Sequence, residues 1–195
     1  MPKEEELYQP VKTLLETVFR SYVEEGPYQR APFPRKENLY LEITANKKRF
    51  SGILKREFDD ETFRIFSVER SVPDIMGFVQ KRPAKKHVWS ASKKRELITV
   101  EVKTLPITFL NILQAKLYQD IFRSTFGLLI SPKGIIEEKV RFVLDTKIGR
   151  KIRGKVIIAQ VTEEPAAQYG HFTSLKINPK FKNSVPEPFK RFCKP

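Results

Sequence analysis

The stretch whose reading decides the fold is Leu97 to Thr104, "LITVEVKT". Ile98, Val100 and Val102 alternate with Thr99, Glu101 and Lys103, and a side-chain period of two is the mark of a strand. A strand is therefore predicted over 97–103, apolar on one face and carrying a carboxylate and an ammonium on the other. A Glu and a Lys two positions apart on a solvated strand face need no function. Whether they have one depends on "VPDIMG" (72–77) upstream and "QAKLY" (114–118) downstream.

Upstream, strands are expected over 38–45, 49–59 and 62–72, the first two paired across Asn46-Lys47-Lys48, with 73–79 as a strand or strand end. A parity slip at Phe66 marks a bulge in the third. Ahead of them, residues 4–25 read as an amphipathic helix with Leu7, Val11, Leu14, Leu15, Val18, Phe19 and Tyr22 as its stripe. Pro10 is best tolerated in a first turn, so the regular helix is expected to begin later than Glu4. Gly26-Pro27 ends it, and 26–38 reads as an extended loop.

Downstream, Pro106 opens a predicted helix to about Ser124. A buried strand follows at 126–131, a helix at 134–149 and a second buried strand at 155–161. This alternation implies right-handed crossovers and parallel neighbours. The tail from Glu163 contains Pro165, Pro179, Pro186, Pro188 and Pro195 and reads as surface loop. The expectation is one α/β domain over 1–195, a mixed central β-sheet flanked by helices. Its core spans about 4–161 and its proline-containing C-terminal extension 162–195.

Composition narrows the chemistry. The 195 residues carry 37 Lys and Arg against 23 Asp and Glu, a formal charge of +14 with a pI near 9.9. Such a charge repels itself and suits a polyanionic partner, nucleic acid first and an anionic membrane surface second. Cys193 is the only cysteine and His87 and His171 the only histidines. That argues against a disulfide framework, a four-cysteine iron–sulfur cluster, a multi-cysteine zinc site and a Ser–His–Asp triad. A working metal would be held by carboxylates, which favours Mg²⁺ or Mn²⁺. The polar start "MPKEEE" does not resemble a signal peptide and no apolar run spans a bilayer, so a cytoplasmic protein without a membrane partner is expected.

If the Pro73-Asp74 segment pairs with the 97–103 strand, Asp74 sits beside Glu101. Two carboxylates at one spot repel unless a cation lies between them, and a divalent ion resolves this. Lys103 on the same face can hold the attacking water and offset phosphate charge. Along the following helix Leu110, Gln114, Tyr118 and Phe122 form one i, i+4 row, in which Gln114 is the polar break. Glu4 shares the row of Leu7 and Val11 on the first helix.

Pro73-Asp74 followed by Glu101-Val102-Lys103, on successive strands between two helices, resembles the PD-(D/E)XK nuclease superfamily, the restriction-endonuclease-like fold of αβββαβ order. Gln114 and Tyr118 are similar to the Gln-x-x-x-Tyr motif of its RecB-type branch, without the iron–sulfur cluster some relatives carry. The resemblance covers roughly residues 4–131. It implies a divalent-metal-dependent nuclease in which Asp74 and Glu101 hold Mg²⁺ or Mn²⁺ and Lys103 positions water. Gln114 and Tyr118 would support the site, and Glu4 would be a further ligand.

Alternatives stay open: a structure-selective nuclease such as a junction resolvase, which would be a homodimer, or a non-catalytic nucleic-acid-binding module on the same fold. DNA is the expected partner, with other DNA-processing proteins beside it. The backbone contacts are expected from Lys81, Arg82, Lys85, Lys86, Lys93, Lys94 and Arg95, with Trp89 for stacking, and from Lys151 and Arg153. Glu69 is a weaker carboxylate candidate.

Overall fold

The computed structural model describes residues 3–24, 38–46, 50–58, 72–80, 95–135, 138–163 and 172–193. The predicted 62–72 strand, apart from Val72, lies outside them. So do Glu69, Lys81, Arg82, Lys85, Lys86, Trp89, Lys93 and Lys94.

Helix α1 (Glu4–Glu24) runs the full length of the acidic-apolar segment. Its start at Glu4 corrects the expectation that Pro10 would delay it. Proline there removes one hydrogen bond, at about 3 kcal/mol. Against this, Leu7, Val11, Leu15, Val18 and Phe19 are among the side chains it buries, each contributing roughly 1.5–3 kcal/mol. Burial wins.

The sheet has six strands in the spatial order β1 (Leu39–Ile43), β2 (Ile75–Val79), β3 (Glu96–Val102), β4 (Phe126–Ser131), β5 (Ile157–Glu163) and β6 (Phe172–Ile177). β1, β2 and β3 are mutually antiparallel, β3–β4–β5 are parallel, and β6 is antiparallel to β5. The protein is thus α/β with a mixed sheet. Ile98, Val100 and Val102 face the cluster built on α1, and α1 touches both edge strands, so the sheet curves around it. Leu97 faces a second, smaller cluster on the opposite side. Gly77 is required where β1 and β2 approach, because a Cβ there would collide with the Tyr40 carbonyl oxygen.

Four expectations are corrected. The 49–59 segment is not a strand. Ser51 caps helix α2 (Gly52–Glu57) by accepting from Leu54 N at 3.2 Å. Leu54 and Phe58, four apart, then reach the second cluster with Met76, Tyr118 and Phe122. Helix α3 (Phe109–Ile121) begins after Pro106, at a capping box in which Thr108 and Asn111 satisfy each other. The 134–149 helix is two, α4 (Glu138–Asp145) and α5 (Lys147–Arg153). They are broken at Thr146, whose hydroxyl accepts from Gly149 N at 2.9 Å. The C-terminal extension is not merely surface loop. β6 completes the sheet, and Val185 and Phe189 enter the main core.

Arg153 is also corrected. It is 2% exposed, donates to the Val156 carbonyl (3.0 Å) and to Ser184 Oγ (2.7 Å), and so faces the interior rather than a phosphate. Burial pulls its pKa down. Arg153→Ala is expected to lower unfolding free energy by about 2–4 kcal/mol in urea titrations, since it strips two acceptors of a buried charged donor. A change below about 0.5 kcal/mol would contradict that role. No helix among the described residues is long and apolar enough to cross a membrane.

Candidate active site

The β2–β3 register pairs Ile75 with Val100, and one step further Asp74 faces Glu101. Asp74 has turned out of the strand. Its carbonyl accepts from Thr44 N (2.8 Å) and Ala45 N (3.1 Å), and Thr44 Oγ1 donates to the Pro73 carbonyl (2.6 Å). The Asp74 carboxylate replaces the next strand carbonyl, accepting from Val102 N at 2.7 Å. The proline before it and the β1 end behind it thereby fix the side chain, which is 7% exposed.

Glu101 and Lys103 share the face that strand alternation gives them. Lys103 Nζ lies 2.8 Å from Glu101 Oε1 and 3.3 Å from Glu4 Oε1. Its main-chain N–H donates to the Ile130 carbonyl at 2.8 Å, which anchors it beside β4. Glu101 is 3% exposed, and its second oxygen, Oε2, is buried with no hydrogen-bond partner. Of the three acidic residues opening α1, only Glu4 reaches this group. Glu5 accepts from Asn46 and Glu6 from the Lys3 main chain. Tyr8, one turn on, donates to Glu4 Oε1 (3.4 Å) and lies within hydrogen-bonding reach of Asp74.

The electrostatics follow from burial. Desolvation pushes Asp74 up to about 6 against the opposing pull of the Val102 N–H and Lys103. Desolvation, and then the Asp74 charge, push Glu101 up to about 7. Burial lowers Lys103, but Glu101, Glu4 and Asp74 overcome this and its pKa is raised. Burial and the neighbouring carboxylates likewise raise Tyr8.

Carboxyls whose folded pKa lies above the unfolded value near 4 contribute stability below that value, and lose it as pH rises through the folded pKa. Protein kept in chelator should therefore lose several kcal/mol from this pair between pH 4 and pH 8. Asp74→Asn should remove much of that loss. A wild-type and variant difference in melting temperature that does not change with pH would contradict the assignment.

Do these residues suit a metal ion? Two buried carboxylates and an oxygen without a donor are a donor set that a divalent cation would satisfy. Among the described residues no group of three or more His, Cys, Asp and Glu is arranged to hold an ion alone. Main-chain, water or phosphate oxygens would complete the shell, as Mg²⁺ commonly requires.

The remaining sequence candidates lie on α3, just before β3 and on α5. Gln114 Nε2 donates to Tyr118 OH at 3.1 Å, and among the described residues Gln114 bonds to Tyr118 alone. Tyr118 packs in the second cluster, while Leu110 on the same row is 74% exposed. Arg95 is ion-paired with Glu57 and lies over the Phe78 ring at 4.4 Å, so its guanidinium is engaged within the protein. Lys151 stays exposed. Tyr8 and Thr44 are not singled out by sequence. Only the i, i+4 spacing of Tyr8 from Glu4 points toward the former.

No family model matches the chain, and no curated protein or solved structure is significantly similar to it.

Proposed function

We propose that this protein is a divalent-metal-dependent nuclease hydrolysing DNA phosphodiester bonds on a PD-(D/E)XK-type core. The observation that carries the reading is the buried Asp74–Glu101 pair, with Glu101 Oε2 lacking a donor and Lys103 alongside. Buried, mutually repelling carboxylates cost stability, and such costs concentrate at functional sites. Support also comes from element order. With α2 set aside, α1-β1-β2-β3-α3-β4 follows αβββαβ, antiparallel through β3 and parallel from β3 to β4.

Asp74 and Glu101 would hold Mg²⁺ or Mn²⁺, which when bound supplies positive charge to polarise the phosphate and to lower the pKa of water. Lys103, steered by Glu101 and Glu4, aims its ammonium at the attacking water and the non-bridging phosphate oxygens. Hydrolysis forms a phosphorus–oxygen bond to hydroxide and breaks the one to the sugar oxygen, which leaves with a proton. Charge grows on the phosphate as this happens, and a fixed cation there contributes most at that moment. Tyr8 and the Val102 N–H keep Asp74 in place.

The test is a panel of linear, circular, single-stranded and branched DNA incubated with Mn²⁺, and in parallel with chelator. Metal-dependent cleavage of at least one substrate is expected. Binding without cleavage of any would replace this reading with that of a non-catalytic nucleic-acid-binding module.

A further inference from the structure

We propose that the outer face of the α4–α5 pair is a docking surface for single-stranded nucleic acid. Phe142 and Ile148 would lie against bases, and Lys147, Arg150 and Lys151 against phosphates. The proposal deepens the nucleic-acid reading above but does not depend on catalysis.

The geometry of the two helices sets this face. On α4, Val140 and Leu144, one turn apart, are buried, and Phe142 stands opposite them at 74% exposure. On α5, Gly149 and Arg153 are the buried pair. At 100° per residue the opposite arc carries Lys147, Ile148, Arg150 and Lys151, all exposed, with Ile148 at 72%. The helices meet at the single residue Thr146. Gly149 sits so close to the Val143 carbonyl that a Cβ would collide with it. The two helices pack against each other across this break, and each turns its exposed arc away from the residues it buries. Asp145, the acid between them, is engaged by Lys180 at 2.7 Å, and Glu138, exposed one turn before Phe142, is the other acid of this face, so Lys147, Arg150 and Lys151 leave it net positive.

Cations alone would be a solvated surface. An isolated exposed apolar side chain would also need no explanation. Here an aromatic ring and an isoleucine, each nearly three-quarters exposed, stand among three exposed basic side chains. That combination fits a strand whose bases are unpaired. Every base offers a flat face to an aromatic ring, and the backbone brings a negative charge per nucleotide. A duplex keeps its base faces stacked inside and would meet only the cations. A membrane surface is the weaker match. An interfacial helix buries a continuous apolar face, whereas α4 and α5 expose three large apolar side chains, Phe142, Val143 and Ile148, on helices of 8 and 7 residues.

The test uses the full chain in chelator, so that no substrate is cut. Binding is followed by fluorescence anisotropy on labelled oligo-dT, oligo-rU and a duplex of the same length, with anionic vesicles as a further arm. Phe142→Ala, checked for folding by circular dichroism, is expected to weaken single-strand binding by roughly 5-fold or more and to leave duplex binding within about 2-fold. The slope of log affinity against log salt should stay the same in that variant. Lys147→Gln with Lys151→Gln should reduce the single-strand slope by about 0.7 per lost contact. A larger loss on oligo-dT than on oligo-rU, or the reverse, identifies the sugar of the preferred strand.

The proposal is overturned if Phe142→Ala leaves single-strand binding unchanged or weakens duplex binding equally. It is also overturned if the variant loses vesicle binding while oligonucleotide binding is intact. Cleavage in Mn²⁺ separates the two readings. Wild type that binds in this pattern but never cuts sinks the nuclease and leaves the surface. Cutting by a protein whose binding ignores Phe142 does the opposite.

Discussion

Asp74→Asn and Glu101→Gln are each expected to lower metal-dependent DNA cleavage by on the order of 10³-fold or more, in proteins that unfold no more easily than wild type. Each swap keeps the side-chain shape and removes one negative charge. In Asp74→Asn the amide oxygen can still accept from the Val102 N–H, as the carboxylate does at 2.7 Å, so the end of β2 should stay where it is. Glu101→Gln introduces an amide where Oε2 has no donor, and it relieves the repulsion that raises Glu101. A purely structural carboxylate would behave in reverse: its loss would lower stability and leave turnover in proportion to the folded fraction. Stability and turnover must therefore be measured on the same samples. Wild-type activity in either folded variant would remove these residues from the mechanism.

The second large effect concerns Lys103. Lys103→Ala should lower kcat by about 10²-fold with a much smaller change in KM, because its charge is needed most where the phosphate gains charge. The side chain is held by Glu101 at 2.8 Å and Glu4 at 3.3 Å, which fixes its position before substrate arrives. Glu4→Gln should lower kcat less, since one of the two tethers remains. If Lys103→Ala raises KM and spares kcat, Lys103 is a backbone contact.

Local chemistry makes part of this fold readable. In β3 a strict alternation separates Ile98, Val100 and Val102 from Glu101, and in β4 six consecutive residues are buried, so both strands show in composition alone. The 49–59 segment misleads because Ile53, Leu54 and Phe58 suit strands by type. The deciding facts are the Ser51 cap and the four-residue spacing of Leu54 and Phe58, which is helical. β6 is hidden by neighbouring prolines and by a register shift at Thr162/Glu163 that interrupts its alternation. Asp74, Glu101 and Lys103 can be grouped because their strands are sequence neighbours. Their tie to α1 is different. Lys103 meets Glu4 across 99 positions, and the role of Tyr8 depends on how α1 lies across the sheet. Arg153 shows the converse error, since a basic run gives no sign of which member turns inward.

The most direct test of the buried pair as a metal site is calorimetric titration of Mn²⁺ into the protein at neutral pH, with proton release followed in buffers of different ionisation enthalpy. With Asp74 near 6 and Glu101 near 7, binding to wild type should be saturable and should release protons. Both signals should vanish in Asp74→Asn with Glu101→Gln. Equal Mn²⁺ binding by wild type and the double variant, or none by either, would contradict the account.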